Sequence, residues 1–276
     1  MKLESVDHIN QNWKGGCFKA AFFDFDGTLS LIREGWQDIM IPYFYEQLKI
    51  TPKWNIQKQD QIFSQVEEIV AINTGKQTIY QCIELSKLVA KFGGEPYQPL
   101  IYKREYLRRL RMHIESRLSM LKNDPNASMK FLVPGSIQML SLLKQMNFKI
   151  FLASGTDEED VKTEAALLGL NSYFDGIFGA KDDYLSFSKK KCMDMIIREL
   201  NISGSELIGF GDGFVEIENT KGVGGFACGI ASCETNPFEI DMWKKKRLID
   251  AGADIIVPNF KNSSNLMIYI LEGYNA

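Results

Sequence analysis

Two carboxylates one residue apart close an apolar run in the segment FFDFDGTLS, Phe22 to Ser30. Charged groups rarely end a core strand without a partner or a metal. In extended backbone, residues i and i+2 share a face, so Asp24 and Asp26 can address one site, with Gly27 freeing the chain to turn. Other polar groups follow apolar runs in the same way: Ser154, Gly155 and Thr156 after FKIFLA, and Gly211, Asp212 and Gly213 after ELIGF. Glu216 comes four residues after Asp212, and Lys189 to Lys191 open the helical segment between the two runs. Phosphoryl transfer through a carboxylate needs such a set. An aspartate can attack phosphorus. Bare carboxylates repel a dianionic substrate, and Mg²⁺, held by a few carboxylates with phosphate oxygens and waters, removes that repulsion. A lysine and a hydroxyl can hold the other phosphoryl oxygens. A second acid beside the nucleophile can protonate the leaving oxygen and later activate water.

The elements that must position these groups follow from pattern. CFKAAFFDF (17–25) reads as a strand bounded by glycines. From about 31 to 134 the chain reads as mostly helical, with apolar spacings of three and four in DQIFSQVEEIVAIN, QTIYQCIELSKLVAKFG and PLIYKREYLRRLRMHIESRLSML. NDPNAS (123–128) reads as the loop that ends it. From 135 to 276 strands alternate with helices: 148–155, a short strand in YFDGIFGA, 206–213, 225–231 and 253–260. That alternation predicts an α/β fold with a parallel sheet covered on both faces. The first strand must join this sheet across about a hundred helical residues, which predicts an inserted cap. Ligands of such sheets bind beyond the carboxyl ends of the strands, where the candidate residues fall.

FDFDGTLS resembles the first signature, D-x-D-G-T, of the haloacid dehalogenase superfamily, and FLASG resembles the second, an apolar strand ending in Ser or Thr. SFSKKKCMDMIIREL offers the lysine of the third, and GFGDGFVEIEN is similar to the fourth. The resemblance implies a Rossmann-like core over 1–30 and 135–276 and a type-one helical cap over 31–134. It implies Asp24 as nucleophile and metal ligand. Asp26 would be the general acid/base, with its backbone carbonyl on the metal. Thr28 would orient Asp26, Ser154 and Lys189 would bind the phosphoryl group beside Gly155, and Asp212 would complete the ligands of Mg²⁺. The family often has Asp at the later acidic position. Glu216, one methylene longer, is a metal candidate that could also act through water or orient the lysine. Asp at position 26 fits phosphatases and phosphomutases within the family. Dehalogenases do not carry the pair, and ion-pumping ATPases have Thr there.

The expected activity is therefore Mg²⁺-dependent hydrolysis of a small phosphorylated metabolite, a phosphomonoester such as a sugar phosphate, through an aspartyl-phosphate. The rivals are a sugar phosphomutase, a phosphonate hydrolase with Lys76 as its Schiff base, and a non-catalytic ligand-binding module. In the cap, Arg33 has the best claim to substrate, since it follows the first signature closely. Lys76 sits where NTGKQTIYQ interrupts the helical pattern. Trp36, Gln77, Lys103 and Arg104 equally suit a solvated helix face.

Of the 276 residues, 45% are hydrophobic and 24% charged, with a net charge of −3, a balance that argues against a broad nucleic-acid surface. Five cysteines without a C-x-x-C spacing argue against a disulfide framework or zinc site, and two histidines against a histidine-centred site. Cys192 and Cys228 read as buried small hydrophobes. No apolar run reaches the length of a membrane span, and MKLESVDHINQNWKGG lacks the apolar segment of a secretory signal. The expectation is a cytoplasmic protein with a small-molecule partner, no nucleic acid and no membrane.

Overall fold

The structure, a computed structural model, describes residues 7, 8, 10–233 and 235–273. The chain divides into two compact units, Met1–Ile32 with Leu118–Ala276, and Arg33–Arg117. The first holds one seven-stranded sheet: β1 (Asp7–His8), β2 (Ala20–Phe23), β3 (Lys149–Asp157), β4 (Gly176–Ala180), β5 (Leu207–Gly211), β6 (Phe226–Ile230) and β7 (Ile255–Val257), in the order β1-β7-β6-β5-β2-β3-β4. Six strands run parallel, and β1 pairs antiparallel with β7 at the edge. In chain order the helices are α1 (Trp36–Lys49), α2 (Gln59–Ala71), α3 (Thr78–Lys91), α4 (Pro99–Asn123), α5 (Ser136–Gln145), α6 (Glu158–Leu167), α7 (Lys189–Glu199), α8 (Phe214–Gly222), α9 (Met242–Asp250) and α10 (Ser263–Glu272).

The central strands are apolar throughout because both faces are covered. Ala20 and Phe22 pack with Met193 and Ile196 of α7. The other face carries Phe23 stacked on Phe210 of β5 at 4.5 Å, with Phe260 against both. Farther along the sheet, Ala227 and Ile256 pack with Ile217 of α8 and Leu248 of α9. β2 is flanked by β3 and β5, with Phe23 in register with Leu152 and Phe210. From β2 the chain goes on to β3 on one side, and from β5 it goes on to β6 on the other. A ligand crevice opens where the crossovers diverge in this way, so the ends of β2 and β5 mark the place.

The helical unit holds α1 to α3 and most of α4. Its helices carry apolar stripes at helical spacing, such as Ile62, Val66 and Val70 of α2, all buried. The expected insertion, 31–134, is longer than the unit observed. The division falls between Arg117 and Leu118, inside α4. Residues after it are tied to the segment that follows β2: Leu31 N–H donates to Phe131 O at 2.8 Å, and Val133 N–H to Leu29 O at 3.0 Å. The segment NDPNAS leads into a 3₁₀ turn, Pro125–Lys130, capped by Asp124.

Candidate active site

Asp24 follows the last residue of β2, and its N–H donates to Phe210 O at 2.9 Å, so the sheet ladder fixes its backbone. Its side chain is buried. Lys189 Nζ donates to Asp24 Oδ1 at 2.6 Å and also to Glu216 Oε1. Lys189 is the first residue of α7, where Ser188 caps the helix by accepting from Lys191 N–H. Lys190 pairs with Asp194 and Lys191 donates to Leu185 O, both at the surface. Of the lysine triplet, Lys189 alone turns inward.

Glu216 lies in the first turn of α8, fully buried. A side chain at Gly211 would place Cβ 2.5 Å from Glu216 Cβ, so glycine at the end of β5 lets α8 bring this acid close. Its bond to Lys189 is the geometry that orientation of the lysine requires. Its Oε2 is buried without a hydrogen-bond partner among the described residues.

Burial pushes the carboxyl of Asp24 well above the usual aspartate range, against the pull of Lys189, and the nearby Glu216 and Asp212 push it the same way. Asp24 and Glu216 in turn hold the Lys189 ammonium above its ordinary value, overcoming its burial. Neither Cys192 nor Cys228 is a rival nucleophile: burial raises Cys192 to about 11, and Cys228 moves up for the same reason.

Asp26 is held from β3. Thr156 Oγ1 donates to Asp26 Oδ2 at 2.8 Å, and Ser154 Oγ to the same oxygen at 3.3 Å. Ser154 Oγ also accepts from Thr156 N–H at 3.0 Å. A register shift between Ala153 and Asp157 brings these hydroxyls, with Gly155 between them, into a bulge at the strand end. The Thr28 hydroxyl makes no hydrogen bond to Asp26: its Oγ1 is buried with no hydrogen-bond partner among the described residues. It stands on the turn whose N–H groups bond back to Phe25 O. Thr156 was visible in the sequence as the third polar residue after FLA but was not assigned this work.

Asp212 follows β5, and its Oδ2 lies 2.8 Å from Lys244 Nζ of α9. Lys244 was not among the residues singled out from the sequence, since WKKKRL carries no motif. The signal was its spacing of four from Leu248, which puts it on the buried face. Arg33 and Lys76 belong to the helical unit. Arg33 O accepts from Trp36 N–H at 3.1 Å, and Lys76 Nζ donates to Asn73 Oδ1 at 3.1 Å in the turn between α2 and α3.

Asp24, Asp26, Asp212, Ser154, Lys189 and Glu216 thus stand at the ends of β2, β3 and β5 and the starts of α7 and α8. Among the described residues no group of three or more His, Cys, Asp or Glu side chains forms a metal cage by itself. Mg²⁺ does not require one, since one or two carboxylates suffice beside waters and phosphate. The donor set fits such an ion: the carboxylates of Asp24 and Asp212 follow the neighbouring strands β2 and β5, with Asp26 two residues after Asp24. Glu216 Oε2, buried without a hydrogen-bond partner among the described residues, is a further carboxylate oxygen there.

Residues 18–224 match the haloacid dehalogenase-like hydrolase family. The chain belongs to that family. No curated protein matches it in sequence. Among solved structures, a predicted phosphatase from Clostridium acetobutylicum aligns over 91% of this chain and 99% of its own, at 16% identity and a TM-score of 0.60. A predicted phosphoglycolate phosphatase from Haemophilus somnus 129PT aligns over 90% and 97%, at 14% identity and a TM-score of 0.59. A variant of CbbY from Rhodobacter sphaeroides, solved with xylulose-(1,5)bisphosphate, aligns over 88% and 95%, at 16% identity and a TM-score of 0.53. At these identities the likeness is one of fold. No helix among the described residues is long and apolar enough to cross a membrane.

Proposed function

We propose that the protein is a phosphatase that hydrolyses a small phosphomonoester through an aspartyl-phosphate on Asp24. The observation that carries this reading is the pairing of a buried Asp24, held by Lys189 at 2.6 Å, with an Asp26 held separately by hydroxyls of β3. Two acids in unlike environments suit a nucleophile and a proton shuttle.

Asp24 attacks phosphorus, and the bond from phosphorus to the leaving oxygen breaks. Asp26 gives that oxygen its proton, then takes one from the water that cleaves the acyl phosphate and restores Asp24. Lys189 fixes Asp24 and balances charge on the phosphoryl oxygens. Ser154 and the backbone at Gly155 are its further ligands in this reading. Asp24, Asp212 and the Asp26 backbone carbonyl are the groups that would hold Mg²⁺. Bound there, the cation would neutralise the phosphoryl oxygens and hold Asp24 ionised against its burial. Glu216 acts behind Lys189, while Arg33 and Lys76 are candidates for recognising the rest of the substrate.

Phosphate release from a panel of small phosphomonoesters, with Mg²⁺ and with EDTA, tests the reading. Release that needs Mg²⁺ and disappears in Asp24→Asn is expected. A folded wild type silent across the panel would count against it, and turnover that consumes substrate without free phosphate would point to a mutase.

A further inference from the structure

Lys244 and Asp212 form a pair that none of the sequence signatures contains. It bears on the cation assigned under the proposed function and rests on that reading. Lys244 is in the first turn of α9, where Asp241 caps the helix by accepting from the N–H groups of Trp243 and Lys244. Its side chain is 9% exposed and that of Asp212 15%, and the two meet at 2.8 Å. Lys244 Nζ also lies 3.4 Å from Ser232 Oγ, which donates to Gly27 O at 2.5 Å. Gly27, at a φ of +74°, is the turn residue directly after Asp26. A Cβ there would stand 2.1 Å from Asp212 Oδ2 and 3.0 Å from Lys244 Nζ. The ion pair is therefore pressed against the backbone of the D-x-D-G turn. A lysine and a serine from beyond β6 tie the loop after β2 to the loop after β5.

A solvated lysine would gain little by such a contact. Here the ammonium is buried on the carboxylate proposed to hold Mg²⁺. We propose that Lys244 is a positioning residue, the internal counter-ion of Asp212, which seats Oδ2 against Gly27 and sets how strongly the site takes a divalent cation. While no cation is bound, the ammonium holds the Asp212 carboxylate in place. A cation engaging Asp212 does so against a resident positive charge, which weakens its binding and favours exchange.

The test is calorimetric titration of MgCl₂, without substrate, into the wild type, Lys244→Met and Lys244→Arg, each checked for folding by a metal-free thermal melt. Loss of the repulsion is expected to tighten Mg²⁺ binding at least about tenfold in Lys244→Met, and Lys244→Arg is expected to restore the wild-type affinity. Lys244→Gln takes the place of the methionine variant if that one does not fold. Unchanged or weaker binding by the folded neutral variant overturns the inference. If the wild type still releases phosphate only with Mg²⁺, the phosphatase reading stands without it. If neither wild type nor variant binds Mg²⁺, and phosphate release is insensitive to EDTA, the metal assignment and the inference fall together.

Discussion

Thr156 holds the second acid of the D-x-D pair, donating its hydroxyl proton to Asp26 Oδ2 at 2.8 Å, while the Thr28 hydroxyl is buried without a hydrogen-bond partner among the described residues. A hydrogen bond to a charged group is worth about 1.5–3 kcal/mol. Thr156→Val is therefore expected to lower kcat roughly 10- to 100-fold, while Thr28→Val stays within a few-fold of wild type. Steady-state phosphate release by the two variants checks this. Equal losses would remove the distinction.

Lys189 carries two buried carboxylates, Asp24 and Glu216. Removing one partner of a buried ion pair costs about 3–5 kcal/mol because the charge left behind is uncompensated. Lys189→Met is thus expected to lower unfolding free energy in urea by about that amount, and Glu216→Gln by less. A midpoint for Lys189→Met near that of the wild type would contradict the pairing.

The close approach of α8 to β5 depends on Gly211, where a Cβ would lie 2.5 Å from Glu216 Cβ. Gly211→Ala is expected to cost about 1–3 kcal/mol by overpacking and to lower activity by displacing Glu216 from Lys189. Gly222, with nothing within 4 Å of its added Cβ, is the control, and its alanine variant should be neutral. Melting curves and phosphate release on both variants decide it.

Asp175 accepts from Ile150 N–H at 2.9 Å and from Lys144 and Lys149 at 2.7 and 2.9 Å, joining the start of β3 to that of β4. Burial alone would raise its carboxyl, but these donors hold it down at about 2, below the ordinary 3.8. A folded-state value below the unfolded one stabilises the protein above the unfolded pKa. That contribution fades as the pH falls from about 4 towards about 2. Stability measured across this window should fall less steeply in Asp175→Asn, which starts lower, than in the wild type. Parallel curves would contradict the assignment.

The parallel sheet and the acids at its ends could be read directly, because an apolar strand that stops at a charged residue leaves a local mark. AAFF, LIGFG and FACGI became strands, each followed by its polar group or turn. Contacts between elements left weaker marks. Three consecutive lysines do not say which turns inward. Lys189 does so because Ser188 starts the helix there. Helical spacing continues unbroken through α4, so the division at Arg117 and Leu118 leaves no trace in the pattern. It shows only in the bonds from 131 and 133 back to the segment after β2. The two-residue β1 is too short to carry a pattern. Lys244 carries no motif, and only the fold sets Asp212 beside it.

The central claim is that Asp24 becomes phosphorylated. Rapid acid quench of wild type turning over a radiolabelled phosphomonoester in Mg²⁺, followed by peptide mapping, tests it most directly. The account predicts label on the peptide containing Asp24, released by hydroxylamine and lost in Asp24→Asn. Label on another residue, or turnover that persists in Asp24→Asn, would contradict it.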